Sequence, residues 1–217
     1  IESDDFFTGD FSTRTKELAA YGDLTWHVND EWSLSGGLRI FETKSRYWDN
    51  GSETFDFECL CLISLPAVDN KNTDSDWTWR AVASYTPEDD RHYYVNISKG
   101  YRVGQVNPNF GPSFVDPEDV VIPAFYFPDE SINYEIGSKL RFADGRYMLN
   151  LAAYYIDWTD VQADAVRQSD QRNFIANAGD AESKGLEIEL MGTPTDNLDF
   201  RVALSWQDSK IDSISDE

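Results

Sequence analysis

The sequence is short of the residues that mark metal centres, redox sites and nucleic-acid binders. Its 217 residues include two cysteines, two histidines and two methionines. The cysteines, Cys59 and Cys61, stand in a Cys-Leu-Cys run. A structural zinc site takes about four ligands, and His27 and His92 lie too far off in sequence to complete one. A bond between residues i and i+2 is strained, yet an oxidising compartment allows it as a small loop staple. Both readings of the pair, bonded and free, stay open. Positive charge is also scarce: 18 Lys and Arg face 40 Asp and Glu, for a net charge of −22. Nucleic acid needs cationic neutralisation of its phosphates, so it is excluded as a partner. No stretch approaches the ~18 uninterrupted apolar residues of a membrane-spanning helix. Ile1–Asp10 lacks the basic and apolar regions of a secretory leader, so a mature, truncated or partial chain is expected. No GxSxG elbow is present, and the glycines of Gly-Tyr-Arg-Val-Gly, Gly100 and Gly104, do not open a phosphate-binding helix. Glu187 and Glu189, two apart on one strand face, read as a polar wall rather than an acid–base pair. No enzyme activity, metal site or cofactor is expected.

What the sequence has is alternation. From Ile132 to Phe142 every second residue is Ile, Tyr, Ile, Ser, Leu or Phe, and those between are Asn, Glu, Gly, Lys and Arg. Ala143-Asp144-Gly145 supplies a turn, and Tyr147, Leu149, Leu151, Ala153 and Tyr155 return on one face. A period of two with one apolar face is the mark of a strand. Each arm runs roughly ten residues, against ~5–6 for an ordinary strand. Long strands, a tight turn and aromatics near strand ends predict a transmembrane β-barrel hairpin.

The same pattern predicts eight strands. They fall at about Thr15–Val28, Trp32–Lys44, Trp77–Tyr85, His92–Arg102, Ile132–Phe142, Tyr147–Gln162, Ser183–Gly192 and Leu198–Gln207. Short turns, Asn29–Glu31, Thr86–Arg91, Ala143–Gly145 and Thr193–Asn197, alternate with long stretches. Those stretches, about Ser45–Ser75, Val103–Asp129 and Ala163–Ala181, read as irregular loops. The second holds five prolines from Pro108 to Pro128, which forbid a central strand. Strict alternation puts all short turns at one end of the sheet and all long loops at the other.

Three segments carry a family resemblance. They are Ser-Lys-Gly-Tyr-Arg-Val-Gly-Gln-Val-Asn-Pro-Asn-Phe at Ser98–Phe110, the hairpin from Asn133 to Gln162, and Asn-Ala-Gly-Asp-Ala-Glu-Ser-Lys-Gly-Leu-Glu-Ile-Glu-Leu at Asn177–Leu190. In this order they resemble the later barrel strands of TonB-dependent outer-membrane receptors. The resemblance implies an all-β fold, an antiparallel transmembrane barrel of which residues 1–217 form a part, with the plug domain outside this chain. It implies short periplasmic turns, long extracellular loops and both chain ends in such loops. It implies the outer membrane of a Gram-negative bacterium, with its lipid as surroundings. The TonB complex would be reached through the plug region, and a small-molecule ligand such as a metal chelate, commonly a ferric siderophore, would be bound for uptake. Loop aromatics and lumen-facing basic groups are the candidate ligand contacts: Tyr101, Arg102, Asn107, Phe110, Tyr126, Arg80 and Arg39. Arg39, Arg80, Arg102 and Arg201 read first as partners of lumen acids such as Glu135, Glu187 and Glu189, and only second as contacts of an anionic ligand or of the plug. Two rival architectures follow from the alternation alone: a self-contained eight-stranded barrel or porin-like channel, and a soluble β-rich binding module.

Overall fold

A computed structural model describes residues 7–56, 61–65, 67–107, 110–113 and 115–211. Cys59 lies outside the described residues, as does the side chain of Cys61, and with them the question of their bonding. The described residues form eleven strands: β1 Phe7–His27, β2 Trp32–Asp56, β3 Cys61–Leu65, β4 Val68–Glu88, β5 Arg91–Arg102, β6 Asp129–Phe142, β7 Tyr147–Thr159, β8 Gln162–Val166, β9 Asn173–Asn177, β10 Ala181–Thr195 and β11 Leu198–Ile211. One antiparallel sheet runs β1-β2-β4-β5-β6-β7-β10-β11, with β3 folded back on β2. The strands β8 and β9 form a separate hairpin. Among the described residues there is no helix.

The eight path strands are those the alternation predicts, and the predicted faces hold. Leu18, Leu24, Trp26, Leu34, Ile40, Ile136, Leu151, Ile188 and Leu204 all project from one side and all stay exposed. A soluble sandwich would cover that side with a second sheet, and none is present among the described residues. This face is the lipid face of a partial barrel wall. At the short-turn end it carries an aromatic row. Trp32 stacks on Tyr85 at 4.6 Å and Tyr85 on Tyr93 at 6.3 Å. Farther round, Phe142 stacks on Tyr147 at 5.3 Å, and Tyr147 meets Phe200 at 6.2 Å. Within the described residues β1 pairs only with β2 and β11 only with β10, so the sheet does not close on itself as an eight-stranded barrel.

The short turns are built by local chemistry. Asn29 Oδ1 accepts from the backbone N–H groups of Glu31 and Trp32 at 2.9 and 2.8 Å, an Asx turn. Ala143, Asp144 and Gly145 take left-handed φ values of 53°, 55° and 80° in succession. Two non-glycine residues thus share with Gly145 a conformation that costs them little only in tight turns.

The long stretches differ from expectation. Most of Ser45–Ser75 is strand: β2 and β4 stay in register from Trp32↔Tyr85 out to Asp49↔Val68. The expectation failed because this part lies beyond the apolar band: its outer face is charged and polar, and the inner face that it buries carries Thr43, Ser45 and Tyr47. Ser, Thr, Asn and Asp there give no apolar period, while the backbone ladder needs none. Ala163–Ala181 is likewise not a loop but mostly the β8–β9 hairpin. Val103–Asp129 stays irregular, pinned by two isolated bridges, Val106↔Phe125 and Gly111↔Ile122.

Candidate binding wall and loop assembly

The polar side of the sheet is a wall of ion pairs between neighbouring strands. Arg39 on β2 pairs with Glu17 on β1. Arg80 on β4 reaches Asp23 on β1, its Nε and Nη2 at 3.0 and 2.7 Å from Oδ1. The reach crosses β2 at Gly37, where a Cβ would meet the Arg80 side chain at 3.1 Å. Arg201 pairs with Glu189, which also accepts from Asn150 Nδ2 at 2.9 Å. Glu135 accepts instead from the Tyr94 hydroxyl at 2.6 Å. Of the anticipated acid partners only Glu189 takes an arginine. The others lose to Glu17, Asp23 and Asp129, which lie nearer along the strands. Both Arg39 and Arg80 remain about half exposed, so these pairs are weak in water and leave donors free. Together with Tyr21, Thr78 and Ser98 they line an open groove of about 520 Å³.

Above this groove β4 and β5 part. Their ladder ends at Arg80↔Ser98, and side chains take over the join. Lys99 Nζ lies 3.1 Å from Asp76 and 2.9 Å from Glu130. The Tyr101 hydroxyl donates to Asp74, and its ring sits 4.9 Å from that of Phe41.

The second and third long connections fold together. Arg102 pairs with Asp129, which is 2% exposed, and donates to Gln162 O at 2.9 Å. Gln162 Nε2 answers by donating to three backbone carbonyls, those of Arg102, Val103 and Phe127. Asn107, 1% exposed, donates to Pro123 O and Ile175 O and accepts from Ile175 N–H. Asn177 accepts from Phe127 N–H and donates to Phe127 O and Asp160 O. The Arg167 guanidinium is fully buried. It grips Asp170 at 3.0 and 2.6 Å and donates to Gly111 O and Val120 O. Its hydrogen bonds hold the Asp170 carboxyl below the usual carboxylate range despite burial, with the Arg172 N–H and the guanidinium charge adding to them. Ile122, Val106 and Tyr126 fill the small apolar centre.

The seven sequence-predicted ligand residues therefore split. Arg39 and Arg80 lie on the wall. Tyr101 sits at the join, held by Asp74. Arg102, Asn107 and Tyr126 are built into the loop assembly, and Phe110 is half-buried beside it. Sequence reasoning missed the other half of the assembly: Asp129, Gln162, Arg167, Asp170 and Asn177. A signal was there. Arg102, Asn107, Gln162 and Asn177 all lie in the three segments that carry the family resemblance, and the fold brings them to one place.

A one-sided apolar sheet with an aromatic row, a charged inner wall and all long connections at one end defines a segment of a membrane β-barrel. The family model for TonB dependent receptor-like β-barrels matches residues 3–217. The chain belongs to that family. It is 30% identical over 178 residues to the pesticin receptor of Yersinia enterocolitica, covering 82% of this chain and 24% of that protein. It is 24% identical to the probable TonB-dependent siderophore receptor PiuA of Acinetobacter baumannii, over 93% of this chain and 25% of that one. Among solved structures, the ferric yersiniabactin uptake receptor FyuA from Yersinia pestis superposes with a TM-score of 0.72 at 22% identity, covering 94% and 28% of the two chains. The chain thus spans about a quarter of the length of the curated relatives it matches. These relatives are named as receptors.

Proposed function

We propose that the chain is the barrel segment of a Gram-negative outer-membrane receptor that takes up a ferric siderophore. The observation that carries this reading is the match to relatives described as siderophore and ferric-chelate receptors, together with an inner wall that presents half-free guanidinium groups. Arg39 and Arg80 contact the anionic chelate, with Tyr101 and Phe110 above them as flat apolar surfaces. Arg102, Asn107 and Tyr126 serve the site indirectly by holding the loop assembly over it. The energy for import comes from TonB through a plug domain elsewhere in the full protein.

The test uses the full-length receptor. Ferric hydroxamate, catecholate and phenolate siderophores are titrated into the purified protein and into its Arg39→Ala/Arg80→Ala variant. One class binds tightly, and the double variant weakens it by at least about tenfold, as loss of charge-assisted contacts predicts. Failure of all three classes to bind, with the barrel intact, overturns the siderophore reading. Equal affinity of the variant overturns the assignment of the arginines.

A further inference from the structure

The outer side of β1, β2 and β4 changes character abruptly where the apolar band ends. Up to Ile40↔Trp77 and Ile40↔Ala20 this face is apolar. Leu18↔Glu42↔Ser75 marks the boundary. The next two rungs on the same face are Lys16↔Lys44↔Thr73 and Arg14↔Arg46↔Lys71. They hold five cations and no acid, and all five side chains are exposed. Glu42 below and Asp69 above are the flanking acids. Glu42 reaches Lys44 at 2.5 Å, while Asp69 is shared between Arg46 and Lys71. Arg14 and Lys16 have no partner among the described residues. Such a concentration is unexpected in a chain with a net charge of −22.

Register makes it more so. Like charges directly opposite on neighbouring strands repel, and here Lys16 faces Lys44 while Arg46 is flanked by Arg14 and Lys71. The outer rim elsewhere is balanced: Lys184 pairs with Asp208 and Lys210 with Glu182.

Height identifies what the patch meets. Along β2, Trp32 to Lys44 spans ~40 Å of strand at ~3.4 Å per residue. A strand tilt of ~40° reduces this to roughly 31 Å, just above an apolar band ~25 Å tall. Five cations at that height face outward, away from the lumen, at the level of lipid headgroups. Trp48 lies one rung higher, with the Arg46 guanidinium 5.1 Å from its ring.

We infer that this patch binds phosphorylated lipid headgroups of the outer leaflet surrounding the barrel. The phosphates offset the repulsion among the five cations. The inference rests on register and charge, and does not depend on which solute the receptor takes up.

The test uses full-length receptor in a non-ionic detergent, with dimyristoyl phosphatidate and dimyristoyl phosphatidylcholine as probes and bound lipid counted by native mass spectrometry. Wild type retains phosphatidate in preference to phosphatidylcholine. The Arg14→Gln/Lys16→Gln/Lys44→Gln/Lys71→Gln variant retains at least about tenfold less, since each such cation strengthens attachment to an anionic surface. Lys16→Gln/Lys44→Gln alone gives an intermediate loss, which serves if the quadruple variant folds poorly. Lys184→Gln/Lys210→Gln, on the balanced rim, matches wild type. Inorganic phosphate at the same concentration does not displace the lipid. Undiminished retention in the properly folded variants overturns the proposal. So does an equal loss in the rim control, or displacement by inorganic phosphate alone.

Discussion

At the scale of single residues, the inner wall works by letting large side chains lie flat over glycine. Tyr94 reaches Glu135 because Gly137 offers no side chain in its path; a Cβ there would come within 2.5 Å of the Tyr94 ring and hydroxyl. In the loop assembly the governing contact is the buried Arg167–Asp170 pair. Breaking a buried pair is costly because one charge is left without compensation, ~3–5 kcal/mol. The two backbone carbonyls on Arg167 place Asp170→Asn at the lower end of that range. The sign of the pH effect follows from linkage. Asp170 titrates lower in the folded loops than in unfolded chain. Its stabilisation is therefore complete above the ordinary carboxylate pKa and is lost as pH falls through the depressed value. Hydrogen exchange by mass spectrometry should show segments 103–128 and 160–180 protected at pH 7 and opening together toward pH 3. Asp170→Asn should open both at pH 7. Opening of one segment without the other would show that they are not one unit. Little of this was legible in the sequence. Arg167 and Asp170 lie in a polar stretch whose burial depends on carbonyls of Gly111 and Val120, more than forty residues away in the chain.

Among the elements, the membrane strands were legible and the strands beyond the membrane were not. Lipid forces a period of two onto β6, β7, β10 and β11, so faces and turns could be read directly. Beyond the lipid no apolar period is imposed on β1, β2 and β4, where the outer face is charged and the buried inner face includes Thr43 and Ser45, and their pairing reached Asp49↔Val68 unseen. The faces can be tested on β7. Leu151 projects to the lipid side between Ser138 and Ile188, while Asn150 projects inward and donates to Glu189. An arginine near the bilayer midplane costs ~2–4 kcal/mol. Reversible unfolding of the full-length protein in bilayers, with alanine controls, should show Leu151→Arg lowering stability by about that amount. Asn150→Arg, beside Glu189, should be much milder. Equal penalties would refute the assignment of faces.

For the whole molecule, we propose that the alternation of short turns and long connections sets its orientation: turns toward the periplasm, the β2–β4 arm and the loop assembly outward. Impermeant maleimide on intact cells is the direct check, with Cys59 and Cys61 first replaced by serine. Asp116→Cys, in the loop assembly, should label at once. Asp144→Cys, in the β6–β7 turn, should label only after the outer membrane is opened, and the reverse pattern would invert the receptor. The strand order has a kinetic consequence as well. Apart from the β3 and β8–β9 excursions, every strand of the main sheet pairs with its neighbours along the chain, so ladder contacts join successive strands and never the two ends of the wall. Folding rates fall as the sequence separation of contacts grows. This wall can extend hairpin by hairpin, each new strand docking on the edge left by the last. The assembly loops, whose locks join segments 103–128 and 160–180, can close only after β6 and β7 are in place. They are the late step, and a defect there would leave a wall that is fully formed but uncapped.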